Sequence, residues 1–376
     1  MADIMDYLDW RGDLTLQQSP FNEVDHLILA QLAYVNFDGI IPGVASNEVV
    51  TLEVASKLFF KINDEEEVLR QKLFARLAPF VMKKMASTRR FRNMKLCKYV
   101  SQLDYEIQKQ FGVFQVFLED GTIYVAFRGT DDTLVGWRED FNMSFMAPIP
   151  AQVEAVHYVN HTLSHTTRLI RMGGHSKGGN LAIYAALKCQ ECIRKQIIEV
   201  YNNDGPGFNK EMMASFNDEP IMSKIRTIVP QGSIIGMLLE HEQTYTVVKS
   251  KQVGILQHDA MSWEVMGPKF IYLEELSKGS QLLEHALKGW MEHLEDEERS
   301  QFVDILFSIL EETGAKTVLE LTKAKLKKAN RLIKSYRAMD DVTKKMLRHT
   351  IKLLTNEYCK VVKQSLGKKI SRLNKF

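Results

Sequence analysis

The stretch Leu169-Ile170-Arg171-Met172-Gly173-Gly174-His175-Ser176-Lys177-Gly178-Gly179-Asn180-Leu181-Ala182 decides how the rest of the chain is read. Its start continues a β-branched run, Thr167 to Met172, that predicts a strand. Its end opens a segment, Gly179 to Lys188, whose apolar residues recur at helical spacing. Gly174 and Gly178 stand two residues either side of Ser176. A strand-to-helix turn this tight leaves no room for a side chain at either place, and it holds the serine in a strained backbone region with Oγ raised above the sheet. Ser176 is therefore the candidate nucleophile. The helix that follows turns its electropositive end toward any negative charge developing there.

Strands alternating with helices flank this turn. Met94 to Val100, Phe111 to Leu118 and Thr122 to Phe127 predict strands, the last two joined by Asp120-Gly121, a strong hairpin signal. A helix is expected over Ala151 to Thr162. Further strands are expected at Gln196 to Tyr201, Lys224 to Val229 and Tyr245 to Val248, with helical segments Lys210 to Phe216 and Ile234 to Glu240 between them. This order implies a predominantly parallel sheet covered on both faces, with antiparallel strands at its start. The first hundred residues read mainly as helix, including a helical segment at about 51–92, and from Pro268 onward only helices are expected. The reading gives an α/β domain over 1–267 and a helical extension over 268–376.

An acyl-transfer site needs two donors for the oxyanion. The backbone N–H of Lys177, next after the nucleophile, supplies one. Thr130, at the end of the strand Val125-Ala126-Phe127, supplies the other through its N–H and hydroxyl. Phe127-Arg128-Gly129-Thr130, with Trp137 and Asp140 downstream and the Gly-His-Ser-x-Gly-Gly turn after them, resembles the class 3 lipases. Through about residue 265 the chain is more closely similar to an uncharacterised lipase-like family of Gram-positive bacteria. The features shared with it are Asp6-Tyr7-Leu8-Asp9-Trp10-Arg11-Gly12-Asp13, Asn203-Asp204-Gly205-Pro206-Gly207-Phe208 and Gln257-His258-Asp259. The resemblance implies an α/β-hydrolase fold and a Ser-Asp-His mechanism, without naming a substrate.

The histidine follows the acid in the order serine, acid, histidine. His241, His285, His293 and His349 fall in or beside helical segments, whereas His258 sits in a loop after the last strand. It is the expected base. Class 3 lipases carry the acid one strand later than the strand after the serine, but the matching stretch here, Ile228-Val229-Pro230-Gln231-Gly232-Ser233-Ile234, holds no carboxylate. Asp204, at the end of the strand immediately after the serine's helix, is the expected acid, ahead of Asp259 and Glu240. A turn-forming role beside Gly205-Pro206 is its alternative. Arg128 is expected to pair with Asp131, Asp132 or Asp140, Trp137 to be core, and Asp140 to be structural. The Lys177 side chain is expected either to favour an anionic substrate or to reach solvent. The pocket roof is expected from residues 51–92 and 268–312.

Composition bounds the rest. The 376 residues are 45% hydrophobic and 26% charged, an ordinary globular balance. The N-terminus carries Asp3, Asp6 and Asp9 and no basic-then-apolar pattern, so no secretory signal is read and the cytoplasm is expected. Four cysteines are too scattered for a disulfide framework, and Cys189-Gln190-Glu191-Cys192 reads as packing rather than a metal or redox pair. No cofactor or metal is expected. Residues 316–376 hold 18 Lys and Arg against 4 Asp and Glu, so a basic tail follows an acidic body. Self-docking is the first expectation for that tail, contact with an anionic membrane surface the second, and nucleic acid is disfavoured. Two functions compete: an esterase- or lipase-like serine hydrolase with a small-molecule or lipid ester substrate, and a catalytically inactive hydrolase scaffold that binds a partner through the tail.

Overall fold

Capping and apolar spacing make the N-terminal third helical. The computed structural model describes residues 2–70, 76–131, 133–216, 220–240, 244–317, 336–337 and 339–373. Its first elements are α1 (Ile4–Arg11), α2 (Glu23–Leu32), the short strand β1 (Val50–Thr51), α3 (Leu52–Ile62), α4 (Glu65–Arg70) and α5 (Ala78–Ser87). Capping boxes at Asp3/Asp6 and Asn22/Asp25 start α1 and α2 by satisfying their first free N–H groups. The Asp25 carboxylate is also the fully buried ion-pair partner of Arg90, which donates further to the Ser19 carbonyl at 2.9 Å. The Arg90 linker thus locks the first helices onto the body.

β2 (Lys95–Asp104), β3 (Lys109–Phe117) and β4 (Ile123–Phe127) form an antiparallel ribbon. The Asp120-Gly121 hairpin is present, with Gly121 at φ +86°, where a side chain would be strained. After β4 come α6 (Leu134–Asn142), α7 (Pro150–Leu163), β5 (Ile170–His175), α8 (Lys177–Lys188), α9 (Glu191–Arg194), β6 (Ile197–Asn203), α10 (Lys210–Ala214), β7 (Ile225–Pro230) and β8 (Tyr245–Val248). β4 through β8 pair in parallel and in chain order.

That order explains the two coverings. Right-handed crossovers that all step in one direction put their helices on one face of the sheet. α7 and α8 accordingly share a core with Phe111, Val113, Ile123, Val125 and Phe127. The opposite face needs its own cover, and α1, α2, α3 and α5 supply it against Phe114, Val116, Tyr124 and Ala126. The strict alternation along β3 and β4 assigns each side chain to one of these two cores.

Two expectations change. The chain beyond Pro268 is not only helical: β10 (Lys269–Phe270) pairs with β9 (Val265–Met266), and β11 (Tyr272–Leu273) closes the sheet antiparallel to β8, satisfying an otherwise open edge. Ile234 to Glu240 forms only a 3-10 turn, Ile235–Met237. The lysine-rich stretch Leu319 to Lys369 begins outside the described residues, and its later part is a helix, Asp341–Leu373. α11 (Lys278–Glu292) and α12 (Asp296–Glu311) precede it, with α12 packed on α6. No helix among the described residues is long and apolar enough to cross a membrane.

Candidate active site

The ends of β4, β5, β6 and β7 meet at one edge of the sheet, the carboxyl edge where open α/β sheets place their ligands. Ser176 stands between β5 and α8 at φ 57° and ψ −137°, a backbone conformation that an L residue keeps only under constraint. The constraint is visible at the flanking glycines. A Cβ on Gly174 would fall within 3 Å of Gly178 and the Phe127 carbonyl, and one on Gly178 within 3 Å of that same carbonyl. The Ser176 N–H donates to the Asn203 carbonyl at 2.9 Å, fixing the turn against β6.

Asp204 follows β6 directly, fully buried and also at positive φ (51°). Its Oδ2 is 2.7 Å from His258 Nδ1. Its Oδ1 accepts from the Ser233 hydroxyl and from the Gly236 N–H, the latter at 3.2 Å. The segment Gln231 to Gly236 after β7, which carries no carboxylate, thus holds the carboxylate that β6 supplies. This also explains the missing helix there. A Cβ on Gly236 would collide with Asp204 Oδ1, so the loop bends to bring a bare N–H onto the acid. Neither rival acid contacts the imidazole: Asp259 Oδ1 accepts the Met261 N–H at 3.0 Å, and Glu240 faces Lys288 at 3.9 Å.

His258 is held from two sides. Its carbonyl accepts from His175 Nε2 at 2.7 Å, and the two rings lie 4.5 Å apart. His175 Nδ1 in turn accepts the Tyr34 hydroxyl at 3.0 Å. With Nε2–H donating and Nδ1 accepting, His175 is a neutral imidazole of defined tautomer. Burial drives its pKa well below the ordinary histidine value, which keeps it neutral. No hydrogen bond joins Ser176 Oγ to His258 among the described residues. Such contacts are often long until substrate arrives.

Thr130 and Lys177 flank the serine, and neither N–H donates to another backbone group among the described residues. The Thr130 hydroxyl is committed to Asp140 Oδ2 at 2.5 Å, which leaves its N–H as the available donor. The expectations for the Lys177 side chain are overturned. It is fully buried, with Nζ 2.7 Å from Glu139 Oε2 and 2.9 Å from the Gln110 carbonyl, so it neither meets solvent nor offers charge to a substrate. Arg128 forms no ion pair with Asp131 or Asp140; it donates to Ser101 Oγ at 3.1 Å and lies over Gly112. Asp132 lies outside the described residues.

A cavity of about 290 Å³ opens at Ser176. It is lined by Tyr34, Thr130, Trp137, His175, Ile235 and His258, with the half-exposed Ile255 and Leu256 at its rim. The expected roof is thus corrected: among the described residues the lining comes from α2, the β4–α6 loop, α6 and segment 252–260, not from 51–92 or 268–312. Trp137, expected as core, is half-buried and faces both this cavity and the α6–α12 contact. Asp140 also lines the cavity, and burial pushes its carboxyl up to about 6 against the pull of Lys177 and Thr130.

The sequence reading passed over His175, Tyr34, Ser233 and Glu139. His175 lies inside the serine's own turn, so its proximity was legible, but its bond to a carbonyl 83 residues away was not.

Comparison with known proteins adds the following. Among curated proteins none matches the sequence. A solved structure, the crystal structure of M37 lipase, aligns with a TM-score of 0.34 at 18% identity, covering 45% of this chain and 65% of that chain. The present chain therefore spans about two thirds of that protein's length. The model of the Mbeg1-like family matches residues 85–308, a region running from the end of α5 into α12. That match takes in more than half of the sequence, including the Ser176 turn, Asp204 and His258, and the chain belongs to the Mbeg1-like family.

Proposed function

We propose that this protein is a serine hydrolase of the α/β-hydrolase kind, cleaving carboxylic esters through an acyl-enzyme at Ser176. One observation carries the reading: the strained Ser176 faces the same cavity as His258, whose Nδ1 is hydrogen-bonded at 2.7 Å to buried Asp204. In the proposed reaction His258 Nε2 takes the proton from Ser176 Oγ as the oxygen attacks the ester carbonyl. Asp204 fixes the tautomer and stabilises the imidazolium without taking the proton. The N–H groups of Lys177 and Thr130 receive the oxyanion, and the positive end of α8 adds to their field. The imidazolium then protonates the leaving oxygen or sulfur, and water repeats the sequence on the acyl-enzyme. The cavity, near the small end of the usual range of roughly 300–1,000 Å³, suits a short acyl group.

Fluorophosphonate labelling of the wild type and of Ser176→Ala tests this. We expect stoichiometric labelling of the wild type only, with ester turnover lost in the variant by roughly 10³-fold or more. Absence of Ser176-dependent labelling, where a control hydrolase reacts, would overturn the assignment in favour of an inactive scaffold.

A further inference from the structure

The cavity is apolar in area but one-signed in charge. Among the described residues that line it are three carboxylates, Asp131, Asp140 and Asp259, and no lysine or arginine. Lys177 Nζ lies 3.9 Å from Asp140 Oδ1 and is held by Glu139 at 2.7 Å, so that pair carries no net charge into the site. Arg76 acts on Asp259 from outside the lining and beyond ion-pair distance. Asp131 and Asp259 each use one oxygen, Oδ1, on a backbone N–H two residues on, at 2.9 and 3.0 Å. Their Oδ2 atoms make no hydrogen bond among the described residues. Tyr34 and Trp137 line the same space. Carboxylates with a spare oxygen beside aromatic rings attract a cation and repel an anion.

We propose that the Ser176 site selects its ester by charge, accepting cationic and neutral substrates and rejecting anionic ones, with Asp131 and Asp259 as the specificity-determining residues. The inference rests on the hydrolase reading above and adds the class of substrate to it. A site for phosphorylated or sulfated esters would need a free cation at the cavity; among the described residues Lys177 is held by Glu139, and Arg128 donates to Ser101 and the Phe111 carbonyl.

Three butyryl thioesters of matched size test it: those of thiocholine, 2-mercaptoethanol and 2-mercaptoethanesulfonate, with thiol release followed at pH 8 and low salt. We expect kcat/KM to fall in that order, the cationic ester exceeding the anionic one by on the order of tenfold or more. The ratio should shrink toward one in Asp131→Asn/Asp259→Asn, in which each asparagine Oδ1 keeps the existing backbone hydrogen bond. It should also shrink in high salt, where exposed charges are screened. Equal or faster turnover of the sulfonate, or a ratio unchanged in the double variant, overturns the charge rule while leaving the hydrolase assignment intact. Failure of all three esters to turn over, together with absent fluorophosphonate labelling at Ser176, removes the assignment itself.

Discussion

Asp140 sits where the open cavity meets the buried Lys177–Glu139 pair. Burial raises its carboxyl from the ordinary 3.8 to about 6, Lys177 and Thr130 pull it down, and Glu139 pushes it up again. The folded state therefore favours the protonated acid. Its contribution to stability is present in full below about pH 4 and is lost as pH rises through 6. About a quarter of the side chain remains open, so we expect the loss to be about 2 kcal/mol. Asp140→Asn should remove that dependence. Denaturant titrations should show the variant gaining by this amount relative to wild type between pH 4 and pH 8, and a constant difference across that range would refute the argument. Single residues were legible in the sequence when their role is set by near neighbours. Ser176 is marked as a candidate by glycines two places away, and His258 by standing in the segment after β8. Ser233, Tyr34 and Glu139 act on partners 29, 141 and 38 positions distant, and no local pattern marks them.

Helix α6 owes its position to one carboxylate. Glu139 is fully buried and accepts from Lys177 Nζ on α8, from the Gln110 N–H on β3 at 3.0 Å and from the Ala151 N–H at the start of α7 at 2.9 Å. Four elements thus meet on one side chain, and α6 in turn holds Trp137 and Asp140 at the cavity. Breaking a buried pair from one side leaves an uncompensated charge, whereas replacing both members with apolar groups of similar volume is often neutral. Glu139→Gln should therefore cost about 3–5 kcal/mol, and Lys177→Met/Glu139→Leu distinctly less, as read by denaturant unfolding. A double variant as unstable as the single one would mean that the backbone hydrogen bonds to Glu139, not the ion pair, hold the elements together. At this scale the strands were legible because alternation and β-branched runs are local signals. The Ile234 to Glu240 segment was not, because apolar spacing cannot show that Gly236 must turn its N–H toward Asp204. β11 was hidden for a related reason: a two-residue strand exists here only because β8 leaves an edge for it, while β9 and β10 pair only with each other.

Over the whole molecule, α12 joins the helical extension to the body, and the basic helix docks within the extension itself. α12 presses Val303 and Phe307 onto Leu134 of α6, and the chain just beyond returns to the same helix, where the Leu134 N–H donates to the Lys316 carbonyl at 2.9 Å. The basic helix Asp341–Leu373 instead lies on α11, where Trp290 Nε1 donates to the buried Thr350 carbonyl at 3.0 Å. Charge asymmetry revealed this tail in the sequence, but charge alone does not say which face it covers; the docking is carried by Leu347 and Thr350, which are buried among the lysines. The two contacts should transmit disturbance differently. Phe307→Ala removes a nearly fully buried ring from the α6 contact and should cost about 3–5 kcal/mol. Amide exchange should rise along Leu134–Asn142 and ester turnover should fall, because Trp137 and Asp140 ride on that helix. Trp290→Ala should raise exchange in α11 and in the helix around Thr350, yet leave Ile170–Lys188 protected and Ser176 labelling at the wild-type rate. Slowed labelling in Trp290→Ala would show that the α11 side, whose Trp290 ring also packs on Phe302 of α12, helps set the geometry of the cavity.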